Sequence, residues 1–150
     1  MQPAKFNKDK IIRLFEEQKY KELLEIAEQM LKLDKKNESA LLFKAEIQFK
    51  AGQLIDSLKI LDSLLKINPE NTGANYQKSM ILFILQRNEE ALEFCDKALA
   101  KEKNNFNLLL IKAGILKQMN YDKKEVNKCI EKAKKIDKKR TEEFLKKYWS

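Results

Sequence analysis

The chain has no histidine, two cysteines, two prolines and three glycines in 150 residues. Each shortage excludes something. Without histidine, the commonest general acid and base is missing, and so is the commonest metal ligand. Cys95 and Cys129 are too few for a disulfide framework. Both sit in helix-like runs beside apolar neighbours (Phe94, Ile130) and read as small buried thiols in a reducing compartment. So little glycine and proline leaves few turn residues for a β-rich chain, so the expectation is an all-α fold. Arginine is scarce too: Arg13, Arg87 and Arg140 stand among 31 basic residues. That composition suits forked phosphate or base-edge recognition poorly. No run approaches the roughly 18 consecutive apolar residues of a membrane span. The opening MQPAKFNKDK has no apolar stretch after its charges, so a cytoplasmic chain without a secretory signal is expected. No Gly-rich phosphate loop and no nucleophile elbow is present. Acid pairs such as Glu16-Glu17 and Glu89-Glu90 lie among lysines and read as surface ion pairs. The expectation is a non-enzyme with no cofactor and no metal.

What the chain does have is charge, 36% of residues and a net +8. Residues 122–150 carry eleven basic against six acidic residues, whereas residues 72–105 carry five of each. The cluster Lys134, Lys135, Lys138, Lys139 and Arg140 reads first as a solvated helix end that complements a helix dipole. Its alternative use is contact with nucleic acid or an acidic protein tail.

It also has a period. Lys10, Lys44, Lys78 and Lys112 are 34 residues apart, as are Ile47, Ile81 and Ile115, Phe15, Phe49 and Phe83, and Asn37, Asn71 and Asn105. A strict period means one unit copied along the chain, here about 4–37, 38–71, 72–105 and 106–140, with a final helix over 141–150. In the second unit Leu41, Ala45, Gln48 and Ala51 recur at helical spacing, Gly52 breaks the pattern with a positive φ, and Leu54, Leu58, Leu61 and Leu65 resume it. Asn68-Pro69 ends that helix, and Asn71 caps the next. Asn37 and Asn105 are equivalent caps. Asn7 is expected to cap the first helix, with Phe6 and Ile11 forming a hydrophobic staple. The fourth unit carries one extra residue near Asn120-Tyr121, which brings Val126, Ile130 and Ala133 into register with Ala91, Cys95 and Ala98. Thr141-Glu142-Glu143 is expected to open the last helix.

These residues resemble the tetratricopeptide repeat family over nearly the whole chain. The family's small position 8 reads Ile11, Ala45, Ser79 and Ala113. Position 20 reads Leu23, Ser57, Ala91 and Val126, and position 27 reads Met30, Leu64, Ala98 and Ala133. The proline near position 32 is Pro69 in the second unit and Lys in the first and third. The resemblance implies a right-handed superhelix of four stacked antiparallel helix pairs plus a C-terminal capping helix, all within one domain spanning 1–150. It places Ala45 against Ser57, and Ser79 against Ala91, where paired helices cross.

In the family, the first helix of each pair lines a concave groove. The positions facing it here are Phe15, Leu42, Phe43, Phe49, Tyr76, Met80, Phe83, Ile84, Leu110 and Ile111, with Leu145 and Trp149 continuing the stripe. An apolar wall of this kind implies an adaptor that binds an apolar peptide or helix of another protein. The alternative is a homo-oligomer whose groove is filled by a neighbour, and close curvature could instead bury the wall against itself. The family's clamp for a terminal carboxylate does not carry over. Aligned from the first unit, its positions read Lys8, Ile12, Phe43, Gly73 and Gln77, and only Lys8 fits. The periodic lysines read as stems packed on the surface with their ammonium groups in water.

Overall fold

The computed structural model describes residues 7–149, which form nine α-helices and no strand. The all-α helical-repeat fold expected from composition and period is thereby established. The chain divides into two compact units, Met1–Pro69 and Glu70–Ser150. The first holds α1 (Lys8–Glu16), α2 (Tyr20–Leu33), α3 (Glu38–Lys50) and α4 (Leu54–Ile67). The second holds α5 (Thr72–Ile84), α6 (Asn88–Lys101), α7 (Phe106–Gln118), α8 (Lys123–Ile136) and α9 (Lys138–Tyr148).

Two local devices generate the repeat. Asparagine starts the first helix of each pair. Asn37 Oδ1 accepts from Ala40 N at 2.9 Å, Asn71 from Ala74 N at 2.9 Å and Asn105 from Leu108 N at 3.1 Å. Asn7 caps α1 in the same way, accepting from Asp9 N at 3.0 Å. Each bond satisfies an amide that the first turn would leave orphaned. Phe6, the other half of the expected staple, lies outside the described residues.

A left-handed residue ends each of these helices: Gln18 (φ 55), Gly52 (φ 78), Gln86 (φ 59) and Asn120 (φ 53), again 34 apart. The next residue's amide reaches back five positions, as in Gln53 N to Gln48 O at 2.8 Å and Arg87 N to Leu82 O at 2.9 Å. That pattern is a Schellman motif, built four times with glycine only once. The extra residue of the fourth unit falls just after Asn120. There α8 starts at Lys123, one position late, and Asp122 supplies a side-chain cap to Lys124 N at 3.0 Å that α2, α4 and α6 lack.

Small residues let paired helices approach. Ser57 Oγ donates to Ala45 O at 2.7 Å, so α3 and α4 cross at the expected pair and the hydroxyl is satisfied there. In the second unit Ser79 and Ala91 are both fully buried on the packed helices α5 and α6. The cores are apolar. In the first unit Leu14, Leu23, Ala27 and Ile47 gather Ile11, Phe15, Tyr20 and Phe43. In the second, Ala113, Leu116, Val126, Cys129 and Ile130 gather Leu92, Leu145 and Trp149. Each fully buried leucine stabilises its unit by about 2 kcal/mol.

The last helix begins at Lys138, not at Thr141. Asp137 ends α8 and caps α9 at once: its backbone N–H donates to Ala133 O at 2.9 Å and its Oδ1 accepts from Arg140 N at 3.0 Å. Thr141, expected to open the helix, is buried inside it with its hydroxyl donating to Asp137 O at 2.7 Å. Among the described residues no helix is long and apolar enough to cross a membrane.

Candidate functional site

The first unit carries four of the apolar residues assigned to an inner wall, and two of them meet. Phe15 on α1 meets Phe43 on α3 edge to face, with ring centroids 6.0 Å apart at 74°. Both lie over the Leu14, Leu23, Ala27 and Ile47 core and are half-buried, as are Leu42 and Phe49. Beside them Ile12 on α1 is 46% exposed.

In the second unit Tyr76, Met80 and Ile84 follow one another at four-residue steps on α5, which places them on one face. Tyr76 and Met80 are half-buried and Ile84 is 51% exposed. Phe83 faces α7, where a Cβ added to Gly114 would stand 2.9 Å from Phe83 Cζ. Glycine at 114 therefore makes room for the ring. Ile111 on α7 is half-buried.

Leu110 corrects the expectation of an exposed wall. It is buried with Leu109 and Ala133, under Leu99, Phe106 and Phe144. Leu145 and Trp149 lie on the last helix and its C-cap. They pack, half-buried, on the Ala113, Leu116, Val126, Cys129 and Ile130 core and so cover the last helix pair. An amphipathic terminal helix buries its apolar side against whatever lies beneath it, which here is α8. Lys117 Nζ stands 4.3 Å over the Trp149 ring. A hollow of about 390 Å³ beside it is lined by Lys117, Asn120, Tyr121, Lys123, Val126 and Asn127 as well as Trp149.

The periodic lysines do more than reach water. Lys44 pairs with Glu28, and Lys112 Nζ lies 2.6 Å from Asp96 Oδ1. Both pairs span sixteen residues. Burial pulls the Lys112 ammonium down, but the Asp96 carboxylate outweighs it and holds the group above its ordinary value. Lys78 Nζ stands 4.0 Å over the Phe94 ring. Sequence reasoning missed these pairs, although their signal is visible: acids recur at Glu28, Asp62, Asp96 and Glu131, in step with the lysines.

The C-terminal basic residues are divided between two helices. Lys134 and Lys135 end α8, where they suit its dipole. Lys138, Lys139 and Arg140 open α9, which corrects their placement at a helix C-terminus; cations there oppose the dipole. Lys134 pairs with Glu131 at 3.0 Å. The Arg140 guanidinium lies 4.5 Å over Phe106, and its Nη2 donates to Asn107 at 3.3 Å.

Among the described residues no cluster of three or more cysteine, aspartate or glutamate side chains could hold a metal. Both cysteines are free and buried. Burial pushes the Cys95 thiol up to about 12, against the pull of the Ser79 hydroxyl, and raises Cys129 too, so neither is an activated nucleophile.

Helix pairs recurring along the chain, closed by Schellman turns 34 residues apart and crossing at small residues, define a helical-repeat protein. A family model described as anaphase-promoting complex, cyclosome, subunit 3 matches residues 16–98, and the chain belongs to that family of tetratricopeptide-type repeat proteins. No curated protein matches the chain. Among solved structures, MamA residues 41 to the end from Desulfovibrio magneticus RS-1 superposes with a TM-score of 0.74 at 16% identity, covering 86% of this chain and 72% of that one. The first repeat domain of Spaghetti (RPAP3), bound to an HSP90 peptide, gives 0.69 at 22% identity over 75% of this chain and 90% of that one. YrrB, described as having an unusual peptide-binding site, gives 0.69 at 18% identity over 83% and 63%. At these identities the likeness concerns the fold.

Proposed function

We propose that this chain is a protein-interaction adaptor whose first-helix faces take an apolar segment of another protein. The observation that supports the reading most is the α5 face of Tyr76, Met80 and Ile84, with Ile84 left half in water. A helix that is apolar around most of its circumference is expected to be covered on every side. Of the proteins that share the fold, the Spaghetti repeat domain is described as bound to an HSP90 peptide and YrrB as having an unusual peptide-binding site. Their fold-level likeness supports protein binding as a class. The ligand differs from a clamped terminal carboxylate, because Ile12, Phe43 and Gly73 stand where that clamp needs polar or basic side chains. Aromatic and aliphatic anchors would carry most of the affinity. The buried free thiols fit a reducing compartment such as the cytoplasm.

Selection of a displayed random-peptide library on the full chain tests this. Enrichment of apolar peptides is expected, with binding lost in a Met80→Ser, Ile84→Ser variant that keeps its far-ultraviolet circular dichroism. Unchanged affinity in that variant, or no enrichment, removes the α5 face from consideration. Light scattering after size exclusion addresses the homo-oligomer alternative: a concentration-dependent mass that the same variant reduces to that of a monomer would show a second copy as the occupant.

A further inference from the structure

The α8 helix carries six lysines and two glutamates in fourteen residues. Its buried stripe is Val126, Cys129, Ile130 and Ala133. Turned away from that stripe are Lys124, Lys128, Lys132 and Lys135, at steps of four, four and three, so they form a row about 6 Å apart along the axis. All four are exposed, and none makes an ion pair among the described residues. Elsewhere in the second unit Lys97 pairs with Glu93, Lys101 with Glu70 and Lys112 with Asp96. Glu131, the carboxylate nearest the centre of the row, is held by Lys134. Like charges at four-residue spacing work against the helix that carries them. Their separation is below the roughly 8 Å screening length at physiological salt, so their fields add.

We propose that this outward face of α8 docks an acidic segment of a partner protein, at a surface separate from the α5 face. The chemistry of the row favours carboxylates over nucleic acid. Lysine is a point charge that pairs singly, whereas phosphate recognition in a forked geometry uses arginine, and Arg140 nearby is held by Phe106 and Asn107. No aromatic side chain of α8 stands among the lysines to stack a base. Carboxylates at every fourth residue of a helix repeat at about 6 Å, and those at alternate residues of an extended chain at about 6.6 Å. Either spacing matches the row.

The test is fluorescence anisotropy with the full-length chain and three labelled probes. These are a peptide of repeated Glu-Ala-Ala-Ala, its Gln-for-Glu version, and a single-stranded oligothymidylate of equal net charge. The acidic peptide is expected to bind, the Gln version not to bind, and added salt to weaken the complex steeply. A Lys124→Gln, Lys128→Gln, Lys135→Gln variant should lose affinity on the order of tenfold, while Lys32→Gln, Lys59→Gln, Lys66→Gln, equal in charge change, should lose little. Full affinity in the α8 variant overturns the proposal. So does no binding of the acidic peptide, or binding of the oligothymidylate at least as tightly as the peptide, which would mark a phosphate-backbone surface instead.

Discussion

Replacing Gly114 by alanine sets two opposed effects against each other. Glycine in the interior of a helix costs about 1 kcal/mol relative to alanine, so on α7 alone the substitution is stabilising. The new methyl, however, would stand 2.9 Å from Phe83 Cζ and 3.4 Å from Cε1. Comfortable carbon–carbon contact needs roughly 3.5–4.0 Å. The nearest atom is the tip of a half-buried ring, so the ring swings toward solvent before the helices part. If it gives up about a quarter of some 200 Å² of apolar surface, the loss is on the order of 1 kcal/mol, and residual overpacking brings the opposing total to about 1–3 kcal/mol. Gly114→Ala is therefore expected to destabilise by about 1 kcal/mol net, lowering Tm by roughly 2–4 °C for a chain of this size. Urea unfolding followed by the fluorescence of Trp149, the single tryptophan and part of the same unit, measures it. The decisive step is a cycle with Phe83→Leu. With the ring tip gone, Gly114→Ala should turn stabilising, giving a coupling of at least about 1 kcal/mol. Stabilisation by the full helix-propensity amount in both backgrounds would refute the placement of Phe83 over Gly114.

The other glycine with a defined role is constrained by its backbone angle and not by its surroundings. Gly52 has open space around its Cβ position but φ 78, so Gly52→Ala should destabilise by about 1 kcal/mol through the backbone alone, read by thermal unfolding. Ala45→Leu, at the α3–α4 crossing, should cost about 1–3 kcal/mol in a urea titration, because Ser57 already closes on the Ala45 carbonyl. The folded chain holds the Cys95 proton more tightly than the unfolded chain does. Stability should therefore decline as pH rises above the ordinary thiol value of 9.0 toward about 12, and Cys95→Ala should flatten that limb of the profile. Lys112→Met should stay within about 1 kcal/mol of wild type by thermal unfolding, because the pair it removes is partly solvated.

What could be read before folding was whatever one residue type signals by itself. Asparagine at 7, 37, 71 and 105 announces a cap because its short amide reaches the first-turn amides, and Gly52 announces a left-handed turn. Gln18, Gln86 and Asn120 occupy the same turn, but the two glutamines carry no turn signature and were found only by their backbone angles. Asp137 escaped notice because one residue both ends α8 and starts α9, and the sequence around Thr141 imitates a cap. The inner wall was the hardest part to read. Whether Leu110, Leu145 or Trp149 faces water depends on where α9 lies, a matter of tertiary packing that the period of the first helices does not encode.

The lysine–acid pairs show how such a chain separates stability from order. Lys44 with Glu28 joins α2 to α3, and Lys112 with Asp96 joins α6 to α7, so each ties the second helix of one repeat to the first helix of the next. Partly exposed pairs like these contribute about 0–1 kcal/mol each, far less than the leucines buried beneath them. They do not hold the repeats together. Apolar packing is non-directional and tolerant of a slip along the helix axis, however, and a slip of one turn would bring lysine opposite a different residue and leave the carboxylate without its partner. A small electrostatic difference suffices to choose between registers that bury similar areas. Both charges of these two pairs recur at the 34-residue period, whereas several core positions between them vary among Ala, Ser, Leu, Cys and Ile.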